Sequence, residues 1–136
     1  MRADPQSKDC LFVAESDAGE IVGLAMGGPE RTGHLGYAGE VRVLVVLPGY
    51  QRQGVGRRLV ETVVAHLVQQ GLASFLIRVV APNAPARRFY EALGGQRVPE
   101  VQEQIEEDGT VLDQIAYGWP DAQHFLACAR DRSLAF

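Results

Sequence analysis

The stretch EVRVLVVLPGYQRQGVGRRLVETVVAHLV, residues 40–68, decides how the rest of this chain is read. It opens on an apolar, β-branched run (40–47) with the composition of a strand. Because that run is apolar on both faces, it is expected to be a central strand covered on both sides. Pro48 and Gly49 stop it, and a glycine-bearing basic loop follows. Leu59, Val60, Val63, Val64, Leu67 and Val68 then recur at the i, i+3, i+4 spacing of a helix with one buried stripe, and Gly71 supplies the stop. A strand feeding a loop at a helix N-terminus is suited to hold phosphate. The first-turn N–H groups have no intrahelical acceptor, and the helix dipole favours an anion there. The expected ligand is therefore phosphorylated.

Upstream, residues 10–15 (CLFVAE) and 21–26 (IVGLAM) read as strands, and Ser16-Asp17-Ala18-Gly19 between them makes an antiparallel hairpin. Residues 27–39 are glycine-rich and read as a loop. Downstream, residues 73–80 (ASFLIRVV) form a strand that lies parallel to 40–47 if the helix is a crossover. In PNAPARRFYEALGG, Asn83 can cap a short helix, Pro85 suits its first turn and Gly94-Gly95 ends it, with Phe89 and Leu93 sharing its buried side. Residues 98–104 and 111–117 flank an acidic turn and read as a second hairpin. Residues 120–130 make a terminal helix. Strand hairpin, strand, helix, strand, helix, hairpin is the order of an α/β fold with a mixed sheet and one central crossover.

The chain has 136 residues, 46% hydrophobic and 22% charged, which fits one domain with a real core. We divide it into a lead-in (1–9), a core (about 10–118) and a C-terminal extension (119–136). The net charge of −4 argues against general nucleic-acid binding, and no apolar run approaches the ~20 residues of a membrane span. The N-terminus, MRADPQSKD, lacks a signal peptide's apolar core, and Cys10 and Cys128 show no metal or redox spacing. The expectation is a cytoplasmic protein with reduced thiols, no metal, no membrane and no nucleic-acid partner.

Three phosphate loops compete for residues 49–59. A mononucleotide P-loop fails, because Val55 and Gly56 stand where Lys and Ser or Thr are required. A dinucleotide loop is weak, because Leu59 replaces its third glycine. The third reading fits. Gln51-x-x-Gly54-x-Gly56, after V-V-L-P and before Arg57-Arg58, resembles the acetyl-CoA motif of the GCN5-related N-acetyltransferases (GNAT), Arg/Gln-x-x-Gly-x-Gly/Ala. The second block of that family, N-x-x-A-x-x-F-Y-E-x-x-G, stands here as residues 83–94 at the expected distance. The resemblance runs from about residue 10 to 117.

The resemblance implies acetyl-CoA as cosubstrate. Its pyrophosphate would lie on the amides of Gln53, Gly54, Val55, Gly56 and Arg57, with Arg52, Arg57 or Arg58 adding charge. Arg52 stands where the family commonly has glycine. The pantetheine arm would pair like an added strand with the open edge around Val45, Val46 and Leu47, and Asn83 would touch it or simply cap its helix. Tyr90 matches the family's tyrosine that protonates the coenzyme A thiolate, with a core aromatic as the plainer reading. Glu40 stands where relatives often place a glutamate that deprotonates the amine through water, with a solvated strand start as the alternative. An alkyl ammonium has a pKa near ~10.4, so some group or water chain has to take its proton. His34 and Tyr37 are candidates to line the acceptor pocket. His66 and His124 read as structural.

One departure stands out. The family's usual first strand and two helices, which wall the acceptor site, have only about nine residues here. The site is unusually open, or a partner subunit (a homodimer) or the tail DAQHFLACARDRSLAF closes it. The leading reading is transfer of acetyl from acetyl-CoA to a small-molecule or peptide amine by direct attack in a ternary complex. The alternatives are a coenzyme A-binding or sensing module without turnover and a protein-interaction domain on the same scaffold.

Overall fold

The computed structural model describes residues 8–33, 35–101 and 103–134. Its strands are β1 (Cys10–Glu15), β2 (Ile21–Pro29), β3 (Gly39–Val46), β4 (Phe75–Val80), β5 (Gln96–Arg97), β6 (Glu103–Glu107) and β7 (Thr110–Trp119). The helices are α1 (Val55–Gln69), α2 (Ala84–Ala92) and α3 (Ala122–Leu134), and a single 3-10 turn, Pro48–Tyr50, follows β3. The seven strands form one mixed sheet in the order β1-β2-β3-β4-β7-β5, with β6 also paired to β7. β1, β2 and β3 are antiparallel neighbours, and β3 and β4 are parallel, as the α1 crossover requires. The mixed α/β class and the central crossover agree with the sequence reading.

All three helices send buried residues into one core. Leu59, Val60, Val63, Val64 and Leu67 of α1 meet Ala25, Val41, Phe75 and Ile77 of the sheet. Tyr90 and Leu93 join them from α2 and its end, and Ala122 and Phe125 from α3. The Phe75 and Trp119 rings stack 4.7 Å apart beneath Phe125. Ala122 and Phe125 therefore place α3 on the helical side of the sheet, against Phe75 and Trp119.

The opposite face of the sheet corrects the expectation that β3 is covered on both sides. Register places Leu11, Met26 and Val43 in one row and Val13, Leu24 and Val45 in the next. Met26 is 39%, Val43 37% and Val45 49% exposed. Beyond β3 the same side is partly roofed. Leu35 and Tyr37 of the 30–38 loop pack with Val98, Val101 and Ala116, and the Tyr37 ring lies where a Cβ on Gly118 would come within 2.5 Å of it.

Two smaller corrections follow from local chemistry. β2 runs on to Pro29, because Gly27, Gly28 and Pro29 still pair with β3. The first strand of the last hairpin starts at Glu103, not at residue 98. Val98 and Val101 flank Pro99, which cannot donate to a ladder, and they fill the small second core instead. The hairpin turns on Asp108-Gly109, both at positive φ (53° and 76°), as a tight two-residue loop requires.

Candidate active site

β3 and β4 are paired over only three positions, Gly39–Phe75, Glu40–Leu76 and Val41–Ile77. Past Val41 the β3 register against β2 shifts between Met26 and Gly27, so Arg42 is an extra residue in β3. Such a bulge bends the strand, while its pairing with β2 resumes at Val43. From there β3 and β4 part. The Leu47 amide donates to the Val22 carbonyl at 2.9 Å, toward β2. Alternation along the strand then turns the backbone groups of Val46 and Leu44 away from β2, into the gap beside β4. Val45 and Leu47 turn their backbone to β2 and hold exposed side chains. Among the three expected edge residues, Val46 thus offers backbone to the gap, and Leu44 joins it unforeseen.

The loop that follows is held back against the strand. Gln51 Nε2 donates to the Val46 carbonyl at 3.0 Å, and Gln53 Nε2 to the Gly49 carbonyl at 3.2 Å. Arg52 takes φ +65°, in the left-handed region that favours glycine. Gly54, at φ +82°, is the N-cap of α1, and no side chain caps that helix. The amides of Val55, Gly56 and Arg57 accordingly have no intrahelical acceptor, while Arg58 N closes the first turn on Gly54 O at 3.1 Å. Gly56 lies against α2, since a Cβ there would be 3.4 Å from the Phe89 ring. Arg57 Nε is 3.6 Å from Glu61 on its own helix, and Arg58 turns to a cleft of about 610 Å³ on the outer flank, shared with Glu15 and Asp17. The charge these arginines add to the loop is thus partly compensated.

α2 carries Tyr90. The helix is started by Asn83, whose side chain accepts from Ala86 N at 3.2 Å, so the capping role is the one seen for that residue. Tyr90 is buried among Phe89, Tyr117 and Trp119, and burial pushes its phenol up to about 12. Beside it the Tyr117 hydroxyl donates to Glu91 Oε2 at 2.6 Å, which ties β7 to α2.

Glu40 lies where the strands are about to part, but it is not a solvated strand start. The residue is 0% exposed. Arg31 donates through Nε to Oε1 at 3.2 Å and through Nη2 to Oε2 at 3.1 Å, and Arg78 Nη1 donates to Oε2 at 2.6 Å. Sequence reasoning missed the other three members of this group, Glu30, Arg31 and Arg78. Glu30, just past β2, is also buried and accepts from the Thr32 hydroxyl, the Thr32 and Gly33 amides and Arg78 Nη2. Burial alone would raise its carboxyl, but the hydrogen bonds from Thr32, Gly33 and Arg78 outweigh it and hold it at about 2. Arg78 was legible as the single charge in the apolar strand FLIRVV (75–80). A lone arginine in such a run has to find buried acids, and Glu30 and Glu40 are the acids it finds. Tyr37 packs on Gly118, and His34 lies outside the described residues.

A family model described as the acetyltransferase (GNAT) family matches residues 2–95. The chain belongs to the GNAT family. It is 37% identical over 111 residues to the uncharacterized N-acetyltransferase YuaI of Bacillus subtilis, a match that takes in 82% of this chain and 62% of YuaI. It is 45% identical over 51 residues to the Escherichia coli ribosomal protein bS18-alanine N-acetyltransferase, 38% of this chain and 34% of that one. The crystal structure of that E. coli enzyme aligns with a TM-score of 0.61 at 25% identity, over 84% of this chain and 70% of the other. YncA of Salmonella typhimurium, solved with its cofactor acetyl-CoA, aligns at 0.63 and 22%, over 82% and 64%. The GNAT chain described here therefore spans less than two thirds of YuaI and about a third of the E. coli relative in sequence.

Proposed function

We propose that this GNAT chain is an acetyl-CoA-dependent N-acetyltransferase that delivers acetyl to an amine by direct attack. One observation carries the reading: the β3–β4 gap, with the backbone of Leu44 and Val46 turned into it, opens beside the acceptor-less first-turn amides of α1. An extended, amide-bearing arm and a pyrophosphate are the two parts of one ligand that such a place suits, so the residues present fit acetyl-CoA. When bound, that cosubstrate supplies an activated thioester. The amides of Gln53, Gly54, Val55, Gly56 and Arg57, with Arg52 at the rim, would take the diphosphate. Val46, with Leu44, would hold the arm, and the side chains of Val45 and Leu47 and the α2 start at Asn83 would border it.

Tyr90 would hold the proton for the departing thiolate. A phenol pushed to about 12 stays protonated at neutral pH and is a donor ready at a stated atom, its Oη. The same desolvation raises the proton affinity of a thiolate placed beside it, which keeps the transfer matched. Backbone N–H groups on the open edge of β3 would stabilise negative charge on the acetyl oxygen. Support for an amine acceptor comes from relatives whose names give a protein alanine as acceptor; the open β1–β3 face leaves room for a small amine or a peptide.

The test is release of free thiol from acetyl-CoA with a panel of primary amines and peptide N-termini. Amine-dependent release supports the transferase. Binding of acetyl-CoA without release under any amine would favour the sensing module.

A further inference from the structure

Glu40 faces Leu76 one position before β3–β4 pairing ends at Val41 and Ile77. Two residues beyond Leu76, on the same side of β4, Arg78 reaches back to Glu40 Oε2 at 2.6 Å and to Glu30 Oε1 at 3.3 Å. One guanidinium thereby joins the residue after β2, the start of β3 and the middle of β4. The side chains of Arg78, Glu30 and Glu40 are 6%, 1% and 1% exposed. Arg42, the bulge residue, fastens the same corner from the rim, donating to the Pro29 carbonyl at 2.6 Å and to Asp9 at 2.9 Å.

An ion pair this deeply buried adds little net stability over an apolar replacement, because desolvation cancels most of the attraction. Its effect is geometric. Here it sits at the point where two parallel strands stop pairing, which is the floor of the proposed cofactor gap. A proton acceptor, by contrast, needs an oxygen turned to water or to the amine. Both oxygens of Glu40 instead accept from arginines, and its side chain is 1% exposed.

We infer that Glu40 is a positioning residue, which with Arg78 and Glu30 sets where β3 and β4 part, and that it does not take the proton of the acceptor amine. The link to catalysis rests on the proposed acetyl-CoA reading; the link to strand geometry does not.

The test compares Glu40→Gln, Arg78→Met and the double variant on the full chain. Amide hydrogen exchange across Gly39–Val41 and Phe75–Ile77 needs no ligand. It should quicken about tenfold or more in each single variant, and the double variant should fall short of the sum of the two, because Glu40 and Arg78 share one contact. Unchanged exchange in Glu40→Gln would overturn the inference whether or not acetyl-CoA binds. With acetyl-CoA, measured well below each variant's unfolding midpoint, Glu40→Gln should bind about tenfold more weakly through lost preorganisation. It should also keep the acid limb of the pH–rate profile where the parent has it. An intact affinity with that limb lost would make Glu40 the base. An intact affinity with the limb unmoved would make it merely structural. Either result overturns the inference.

Discussion

At the scale of single residues, two buried side chains, Tyr90 and Glu30, lead to separate predictions. Tyr90 is kept neutral by its surroundings, so removing its hydroxyl should act on transfer and not on binding. Tyr90→Phe is expected to lower turnover by about 10²-fold, the usual size of a lost general acid, with acetyl-CoA affinity unchanged within about twofold. Steady-state kinetics beside a binding titration check this, and full turnover in the variant would remove Tyr90 from the mechanism. Glu30 makes a different kind of prediction. Its carboxyl sits at about 2 in the folded chain against an ordinary 4.5. A carboxyl depressed on folding contributes stability that is fully present above the ordinary value and is lost as pH falls from 4.5 toward 2. Urea unfolding between pH 6 and pH 2 (roughly the window set by those two values) should show that acid loss in the parent chain and a flatter curve in Glu30→Gln. Neither Glu30 nor its tie to Glu40 was legible in sequence. It lies in a glycine-rich segment that reads as loop, and only the folded corner brings Arg78, 48 residues away, against it.

At the scale of elements, the strands and helices were legible wherever periodicity and punctuation agreed. The buried stripe of α1, the hairpin of β1 and β2, the Asn83 cap and the glycine stops all follow from residue types whose local preferences point one way. What the sequence could not carry was the covering of β3. Val43 and Val45 have the same side chains as Val41, which is 1% exposed, and nothing in a strand's own residues records whether another layer lies above it. Substitutions should separate the two faces cleanly. Val60→Ala, on a fully buried position of α1, is expected to cost about 2 kcal/mol, whereas Val45→Ala, at 49% exposure, should cost less than about 1 kcal/mol. Equal losses in denaturant unfolding would mean that Val45 is packed after all. The β5–β7 region failed for a second reason: Val98 and Val101 are β-branched and strand-like in isolation, and Pro99 between them decided otherwise.

At the scale of the whole molecule, this GNAT chain sets a helical layer of three helices against one side of its sheet and leaves much of the other side, over β1 to β3, as an apolar surface. The fold could be anticipated from the Gln51–Gly56 and Asn83–Gly94 blocks, whose spacing is set by one crossover helix and one strand. The candidate site was legible as far as its backbone, because glycines and a strand end are local features. Its electrostatic floor was not, because Glu30, Glu40 and Arg78 come from three elements and meet only after the sheet forms. The loop and the gap have to act together for the proposed function to hold. The most direct measurement is a calorimetric titration of acetyl-CoA into the parent chain and into Gly54→Val, which forces a β-branched residue to φ +82° and closes the approach to the first-turn amides. Binding at about micromolar affinity in the parent, lost in a variant that still unfolds cooperatively, is the expected result. No binding to the parent, or equal binding to both, would contradict the assignment of the β3–α1 loop and the β3–β4 gap to acetyl-CoA.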